Sequence, residues 1–176
     1  GAGVPIGAWS HYSTILGGVD HNIVEGNDNS IILGGDSNEI VGPNSENTFI
    51  IGGDSNTLNI TSGTMNSGIV GGLENFIGDT PYGGRAHQSV IVGGQKNEVT
   101  GIIKDCFIGG GSGNTIDDKN RSVILGGQGI TATEDDTVYV PNLEVRGDLN
   151  LCSGGTLYVS SISGCSPVVI GGEVEI

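Results

Sequence analysis

A short hydrophobic segment followed by two glycines recurs along most of the chain. The residues before and within seven such pairs read STILGG, SIILGG, TFIIGG, SGIVGG, SVIVGG, DCFIGG and SVILGG. The first glycines of the pairs are 16 to 22 residues apart and lie at Gly17, Gly34, Gly52, Gly71, Gly93, Gly109 and Gly126. A period of this size is typical of solenoid proteins, in which each repeat is one unit that stacks on its neighbours.

An asparagine and an aliphatic residue follow most of the glycine pairs. The asparagines are Asn22, Asn38, Asn56, Asn75, Asn97 and Asn114. Each repeat predicts a strand, a tight corner at Gly-Gly, a second strand and a polar return, because glycine and asparagine tolerate positive φ. No window has the periodicity of a helix of about 10–12 residues. We predict an all-β parallel β-solenoid, a β-roll or β-helix, with about seven coils of 16–22 residues.

Four positions define the predicted repeat: a serine that begins the first strand, an isoleucine within it, the first corner glycine and the asparagine. The residues assigned to these structural positions are Ser13, Gly17, Ser30, Ile32, Gly34, Asn38, Ile50, Gly52, Asn56, Ile69, Gly71, Asn75, Ile91, Gly93, Asn97, Gly109, Asn114, Ile124 and Gly126. Cys106 is interpreted as a packing residue of the strand before Gly109.

The first strand of each repeat is hydrophobic on both faces. Alternation places Ser30 and Ile32 on one face and Ile31 and Leu33 on the other. A thin solenoid has one interior, so the second face would form an exposed apolar stripe larger than soluble monomers usually show. We therefore expect the chain to pack as a homotrimer about a three-fold axis. The alternative is a wider monomeric helix in which a second sheet covers the stripe.

The flanks of the repeat region predict three further segments. Residues 1–12, with the only tryptophan, Trp9, are expected to cap the solenoid, which spans 13–131. Residues 132–150 predict neck or linker strands, and residues 151–176 predict a small β-rich module. The opening Gly-Ala-Gly leads us to expect a segment excised from a longer protein.

Composition and charge narrow the classes of function. Glycine fills 34 of 176 positions, and 20 acidic residues against 6 basic ones give a net charge of −14. This charge repels phosphate backbones, so we expect no nucleic-acid partner. The hydrophobic content of 35% is too high and too regular for a disordered acidic tail. No apolar run approaches the roughly 20 residues of a membrane span, so we expect no membrane insertion.

The SxxIGG…N…I coils resemble the head-domain repeats of trimeric autotransporter adhesins and the related repeats of phage and large-virus tail fibres. Residues 137–143, TVYVPNL, are similar to a stretch that follows such repeats in fibre proteins. The resemblance implies left-handed parallel β-rolls in a homotrimer. The abundant Gly-Gly pairs favour the viral branch, and a bacterial adhesin head is the alternative.

From this resemblance we expect a structural, receptor-binding segment of a trimeric viral or phage fibre involved in host attachment. Its location would be the virion surface or tail fibre, or else an extracellular cell surface. The partner would be a host-surface receptor, with glycans among the candidates.

Three kinds of catalytic or metal-binding protein fit the residues poorly. A calcium β-roll needs Asp at the sixth position of its nonapeptide, where this chain has Asn22, Glu39, Thr57, Phe76, Glu98 and Asn114. A left-handed β-helix acyltransferase needs a positioned catalytic histidine, but His11, His21 and His87 lie at unrelated positions of the repeat. A glycan hydrolase would need paired carboxylates, and none stands apart from the polar returns. We therefore expect no enzyme activity, no cofactor and no metal site.

The longest interval between glycine pairs contains the candidate binding loop. Its insertion, residues 78–88, holds Pro81, Tyr82, Arg85 and His87, a combination suited to stacking on sugars or pairing with acidic groups. Insertions in solenoids often form the binding face, although a surface insertion without a role is equally consistent with this pattern. Arg146-Gly147-Asp148 matches the integrin-binding tripeptide but is interpreted as a turn. Cys152 and Cys165 are either a pair or buried apolar residues.

Overall fold

The computed structural model describes residues 6–7, 10–24, 26–43, 45–61, 66–78 and 85–146. The chain divides into two compact units, Gly1–Asn142 and Leu143–Ile176. In the described part of the second unit, residues 143–146, Arg146 Nε donates a hydrogen bond of 2.8 Å to Glu144 Oε1. Trp9, Cys152, Cys165 and the predicted module 151–176 lie outside the described residues.

The described part of the first unit consists of strands of two or three residues joined by tight corners, with no helix. In chain order the strands are β1 (Thr14–Leu16), β2 (Asn22–Ile23), β3 (Ile31–Leu33), β4 (Glu39–Val41), β5 (Phe49–Ile51), β6 (Thr57–Asn59), β7 (Gly68–Val70), β8 (Phe76–Gly78), β9 (Arg85–His87), β10 (Val90–Val92), β11 (Glu98–Thr100), β12 (Ile102–Lys104), β13 (Phe107–Ile108), β14 (Thr115–Asp117), β15 (Val123–Ile124) and β16 (Val138–Tyr139).

The strands form three parallel sheets. The large sheet has the order β1-β3-β5-β7-β10-β13-β15-β16, and the small sheet has the order β14-β11-β8-β6-β4-β2. A third, two-stranded sheet pairs β9 with β12. Each strand of the large sheet thus pairs with its equivalent one coil later, so the predicted parallel β-solenoid is confirmed. Six turns contribute a strand to both main sheets, and β15 and β16 extend the large sheet alone.

The core lies between the two main sheets and is built from the inward residue of each strand. On the large sheet this position holds Ile32, Ile50, Ile69, Ile91, Ile108 and Ile124, and on the small sheet Ile23, Ile40, Leu58, Ile77, Val99 and Ile116, all with no exposed surface. Parallel pairing aligns like side chains at the strand spacing of about 4.8 Å. The inward orientation of Ser30 and Ile32 follows the predicted alternation.

A buried ladder of asparagines runs along one corner of the solenoid. Its members are Asn38, Asn56, Asn75, Asn97 and Asn114. Asn56 donates from its backbone N–H and from Nδ2 to Asn38 Oδ1, each at 3.1 Å, and the same pair of bonds recurs at every step. Each Nδ2 also donates to a glycine carbonyl of the next coil, as Asn56 does to Gly72 at 3.1 Å. The ladder therefore satisfies buried backbone groups that the strands leave unpaired.

The register corrects three assignments made from the sequence, those of Gly109, Cys106 and Asn22. Ile108 pairs with Ile91 and Ile124, so Gly109 occupies the position of Val92, and the corner pair of that coil is Gly110-Gly111, both with positive φ. Three consecutive glycines made the sequence ambiguous by one residue.

The same shift moves Cys106 from the strand interior to the position of Ser89, where its backbone N–H meets Ser89 Oγ at 3.4 Å. In the first coil, Asn22 pairs with Glu39, so Asn22 is not a ladder asparagine. His21 takes that position, and its Nδ1 accepts the Asn38 N–H at 3.2 Å.

The last described rungs lie in the segment predicted as a neck. Val138 and Tyr139 pair in parallel with Val123 and Ile124 and so continue the large sheet. Tyr139 packs against the core at the position that isoleucine occupies in earlier coils. Its hydroxyl accepts hydrogen bonds of 2.8 Å from the backbone N–H groups of Thr133 and Glu134. This side chain therefore fixes the chain segment that follows the last complete turn.

Candidate functional site

The outward side of the large sheet is apolar along its length. Outward side chains that expose between 36% and 68% of their surface are Leu16, Ile31, Leu33, Ile51, Val70, Val92, Leu125 and Val138. We call this set the outer apolar face. Within the described residues no strand packs over it, so the wider helix with a covering second sheet is not what this part of the chain forms. Eight rungs at about 4.8 Å make the face roughly 34 Å long.

On the outer apolar face, two phenylalanine rings pack against glycines, which leave space for them. Phe49 pairs in register with Gly68, and a Cβ on Gly68 would lie 2.2 Å from Cζ of the Phe49 ring. The ring therefore lies across the neighbouring rung in the space that glycine leaves. Farther along, the Phe107 ring approaches Gly109, where a Cβ would lie 3.3 Å from Cε1. Both phenylalanines are half-buried by this arrangement, which flattens the outer apolar face.

The outward side of the small sheet is mostly polar. It carries Asn22, Glu39, Thr57, Asn59, Glu98, Thr115 and Asp117, interrupted by Val41 and Phe76. Two sheets of the same solenoid thus share an interior but differ on their outer sides. Water can solvate the small sheet, whereas the large sheet presents the kind of contiguous apolar patch that marks an interaction surface.

A charged residue follows each of the first five glycine pairs within two positions. The backbones of Asp36 and Asp54, in successive coils, pair through an isolated parallel β-bridge. Each carboxylate accepts a hydrogen bond from the hydroxyl of the following serine, at 2.8 and 2.6 Å. In the next coils Lys96 Nζ lies 3.3 Å from a carboxylate oxygen of Glu74. The corner beside the outer apolar face is therefore polar and predominantly acidic, as the rim of a protein interface commonly is.

A cavity of about 240 Å³ lies at the third sheet and is lined by His87, Ile102, Ile103, Lys104 and Asn120. Pairing of β9 with β12 places His87 beside Lys104. Asn120 comes from the next coil, and its Oδ1 accepts the Lys104 backbone N–H at 3.1 Å. Ile102 is 67% exposed, whereas Ile103 belongs to the core. We call this cavity the β12 pocket.

Part of the predicted binding loop borders the β12 pocket. His87 ends β9 and lines the cavity, and Arg85 begins the same strand. Pro81 and Tyr82 lie outside the described residues. Lys104 and Asn120 were not identified from the sequence, since neither occupies a defining position of the repeat. The usable signal was that Lys104 is one of only six basic residues in an acidic chain.

Two other groups near this region have structural explanations. Cys106 is buried, and its Sγ lies 2.9 Å from the Lys119 carbonyl oxygen, to which it donates. Burial raises the pKa of the thiol, which disfavours the reactive thiolate. Arg121 and Asp136 form an exposed ion pair between coils, and the hydrogen bond from Arg121 lowers the pKa of the Asp136 carboxyl.

Among the described residues, no group of three or more His, Cys, Asp or Glu side chains is placed to hold a metal ion. The same residues include no helix that is long and apolar enough to cross a membrane. No protein-family model, curated protein or solved structure matches the chain.

Proposed function

We propose that this chain is a structural, receptor-binding segment of a homotrimeric viral or phage fibre that takes part in host attachment. It would act without catalysis, at the virion surface or on a tail fibre. The observation that carries the proposal is the outer apolar face, which runs the length of the solenoid and contrasts with the polar small sheet.

The exposed area is large enough to support association. The exposed fractions of the eight side chains amount to nearly four whole aliphatic side chains. Burying one such side chain is worth about 1.5–3 kcal/mol, so covering the face would contribute roughly 6–11 kcal/mol per chain. Association costs at least about 4 kcal/mol in lost translational and rotational freedom. The face therefore favours a partner that covers every rung.

A second and third copy of the chain fit this requirement. Around an axis parallel to the stack, each rung meets the equivalent rung of the other copies, and apolar positions align at every level. The resemblance of the coils to trimeric fibre and adhesin repeats supports three copies. Three identical receptor sites would also strengthen weak contacts through effective concentration.

Light scattering after size-exclusion chromatography tests the assembly. We expect about three times the chain mass of 17.8 kDa. Ile51→Lys places a charge in the outer apolar face and should give monomers that keep the β-rich circular dichroism spectrum. Thr57→Lys, on the outward side of the small sheet, is the matched control and should remain trimeric.

A monomeric wild-type protein would contradict the proposal, as would an Ile51→Lys variant that stays trimeric. Binding of fluorescently labelled trimer to candidate host cells, compared with the Ile51→Lys monomer, tests attachment. The trimer should bind cells at much lower concentration. Equal binding by the monomer would remove the multivalent mechanism.

A further inference from the structure

The β12 pocket combines one apolar wall with hydrogen-bond donors and a positive charge. Ile102 and Ile103 supply the wall, while Lys104 and Asn120 supply polar groups. Lys104 is exposed and forms no ion pair with any described residue. Its ammonium group is therefore available to a ligand, unlike that of Lys96, which lies 3.3 Å from a Glu74 carboxylate oxygen.

The orientation of the Asn120 amide is set by the backbone. Its Oδ1 accepts the Lys104 N–H at 3.1 Å, and the Asn120 N–H donates to Asp135 Oδ1 at 2.9 Å. Because Oδ1 is the acceptor, the other end of the amide is Nδ2, a donor for which the described residues offer no acceptor. Two residues that line the pocket from adjacent coils thus carry an amide donor and an ammonium donor.

Among the described residues, no acidic side chain lines the β12 pocket, although the chain carries a net charge of −14. Two carboxylates bond to backbone N–H groups of pocket residues without lining the pocket themselves: Asp118 Oδ1 accepts the Ile102 N–H at 2.9 Å, and Asp135 Oδ1 accepts the Asn120 N–H. A pocket whose described lining carries two donors, one of them cationic, and no carboxylate selects an anionic group over a cationic one. A carboxylate suits these donors because it accepts charge-assisted hydrogen bonds.

The size and the apolar wall define the rest of the ligand. A cavity of about 240 Å³ is smaller than the roughly 300–1,000 Å³ of drug-sized sites, so it accommodates one ring with its substituents. The exposed Ile102 side chain can pack against the C–H face of a sugar ring. We propose that the β12 pocket binds a carboxylate-bearing sugar unit. That this sugar belongs to a host-surface glycan rests on the proposed function, whereas the pocket chemistry does not.

Saturation-transfer NMR with the intact chain tests this site. The probes are methyl β-D-glucuronide and methyl α-sialoside, which distinguish the two common sources of a sugar carboxylate, with methyl β-D-glucoside as the neutral comparison. We expect at least one carboxylated probe to bind saturably and the neutral glucoside to bind at least tenfold more weakly. Lys104→Gln should weaken that binding at least tenfold, since it removes a charged hydrogen bond.

Two variants complete the test. Asn120→Asp keeps the acceptor for the Lys104 N–H but replaces the Nδ2 donor with a charge, so it should also weaken binding at least tenfold. Lys96→Gln removes the same charge outside the pocket and should bind like wild type. Failure of both carboxylated probes to bind wild type, equal binding of the neutral glucoside, or unchanged binding by Lys104→Gln would each overturn the inference. A Lys104→Gln trimer that attaches to cells like wild type would overturn this site alone and leave the fibre proposal standing.

Discussion

The asparagine ladder should be a major source of stability, and Asn75→Ala tests it at its centre. Asn75 Oδ1 accepts the Asn97 backbone N–H at 3.0 Å and Asn97 Nδ2 at 3.2 Å. Asn75 Nδ2 donates to Asn56 Oδ1 at 3.1 Å and to the Gly94 carbonyl at 3.2 Å. All three asparagines are buried, so water cannot replace these bonds in the folded state.

The magnitude follows from which groups lose every partner. In the alanine variant, Asn56 Oδ1 keeps the backbone N–H of residue 75, and the Gly94 carbonyl keeps the Leu73 N–H. The Asn97 N–H loses its acceptor, which costs about 1–3 kcal/mol for a buried donor. With the lost Nδ2 bonds, we expect Asn75→Ala to lower the free energy of unfolding by about 2–4 kcal/mol.

Urea unfolding followed by far-UV circular dichroism measures this difference, with the protomer concentration held fixed because assembly affects apparent stability. Asn59→Ala is the matched control, since Asn59 lies in β6 with no side-chain hydrogen bond among the described residues, and it should change stability by less than about 0.5 kcal/mol. Asn114→Ala should cost less than Asn75→Ala, because its Oδ1 accepts from the half-buried Ile130 N–H. Loss of under 1 kcal/mol in Asn75→Ala would refute the ladder's importance.

Three further substitutions probe the corners. His21→Asn should raise the free energy of unfolding by about 1–2 kcal/mol, because asparagine would extend the ladder and remove a buried polar atom without a partner. That atom is His21 Nε2, which has no hydrogen-bond partner among the described residues. A lower melting temperature of the variant would contradict this prediction. Gly35→Ala should lower the free energy of unfolding by more than about 3 kcal/mol, since its Cβ would lie 2.3 Å from the Gly53 carbonyl oxygen at a residue with positive φ. A Cβ on Gly34 would have nothing within 4 Å, so Gly34→Ala should lower the free energy of unfolding by only about 1–2 kcal/mol, for its positive φ. Equal melting temperatures for the two glycine variants would show that close packing between coils is not the constraint.

Most errors at the level of single residues came from places where the repeat is degenerate. Gly109 was assigned to the corner because three glycines in a row offer two equivalent pairs, and only the pairing of Ile108 with Ile91 and Ile124 resolves them. Asn22 resembled the other asparagines by residue type, but its pairing with Glu39 gives the ladder position to His21. The pattern of residue types cannot show which of two neighbouring positions belongs to the repeat when both hold a residue type that the repeat allows.

The β12 pocket shows why the candidate site was only partly predictable. His87 was identified because it lies in an insertion, and insertions disturb the period visibly. Lys104 and Asn120 lie one coil apart in the sequence, and stacking of the coils brings them together, so that Lys104 N–H donates to Asn120 Oδ1. Contacts of this kind depend on how far each coil advances, which is a property of the stacked structure.

The sequence alone determined the period, the parallel stacking and the alternation that puts Ser30 and Ile32 on one strand face, because glycine corners and two-residue alternation are local rules that recur in seven repeats. That this face points into the core came from the structure. The tertiary structure decided which glycine of each pair has no room for a side chain, which side chain begins the asparagine ladder and which polar groups meet at the third sheet. These outcomes depend on distances between residues 16 or more positions apart, such as the Gly35–Gly53 approach, and no local preference specifies such distances.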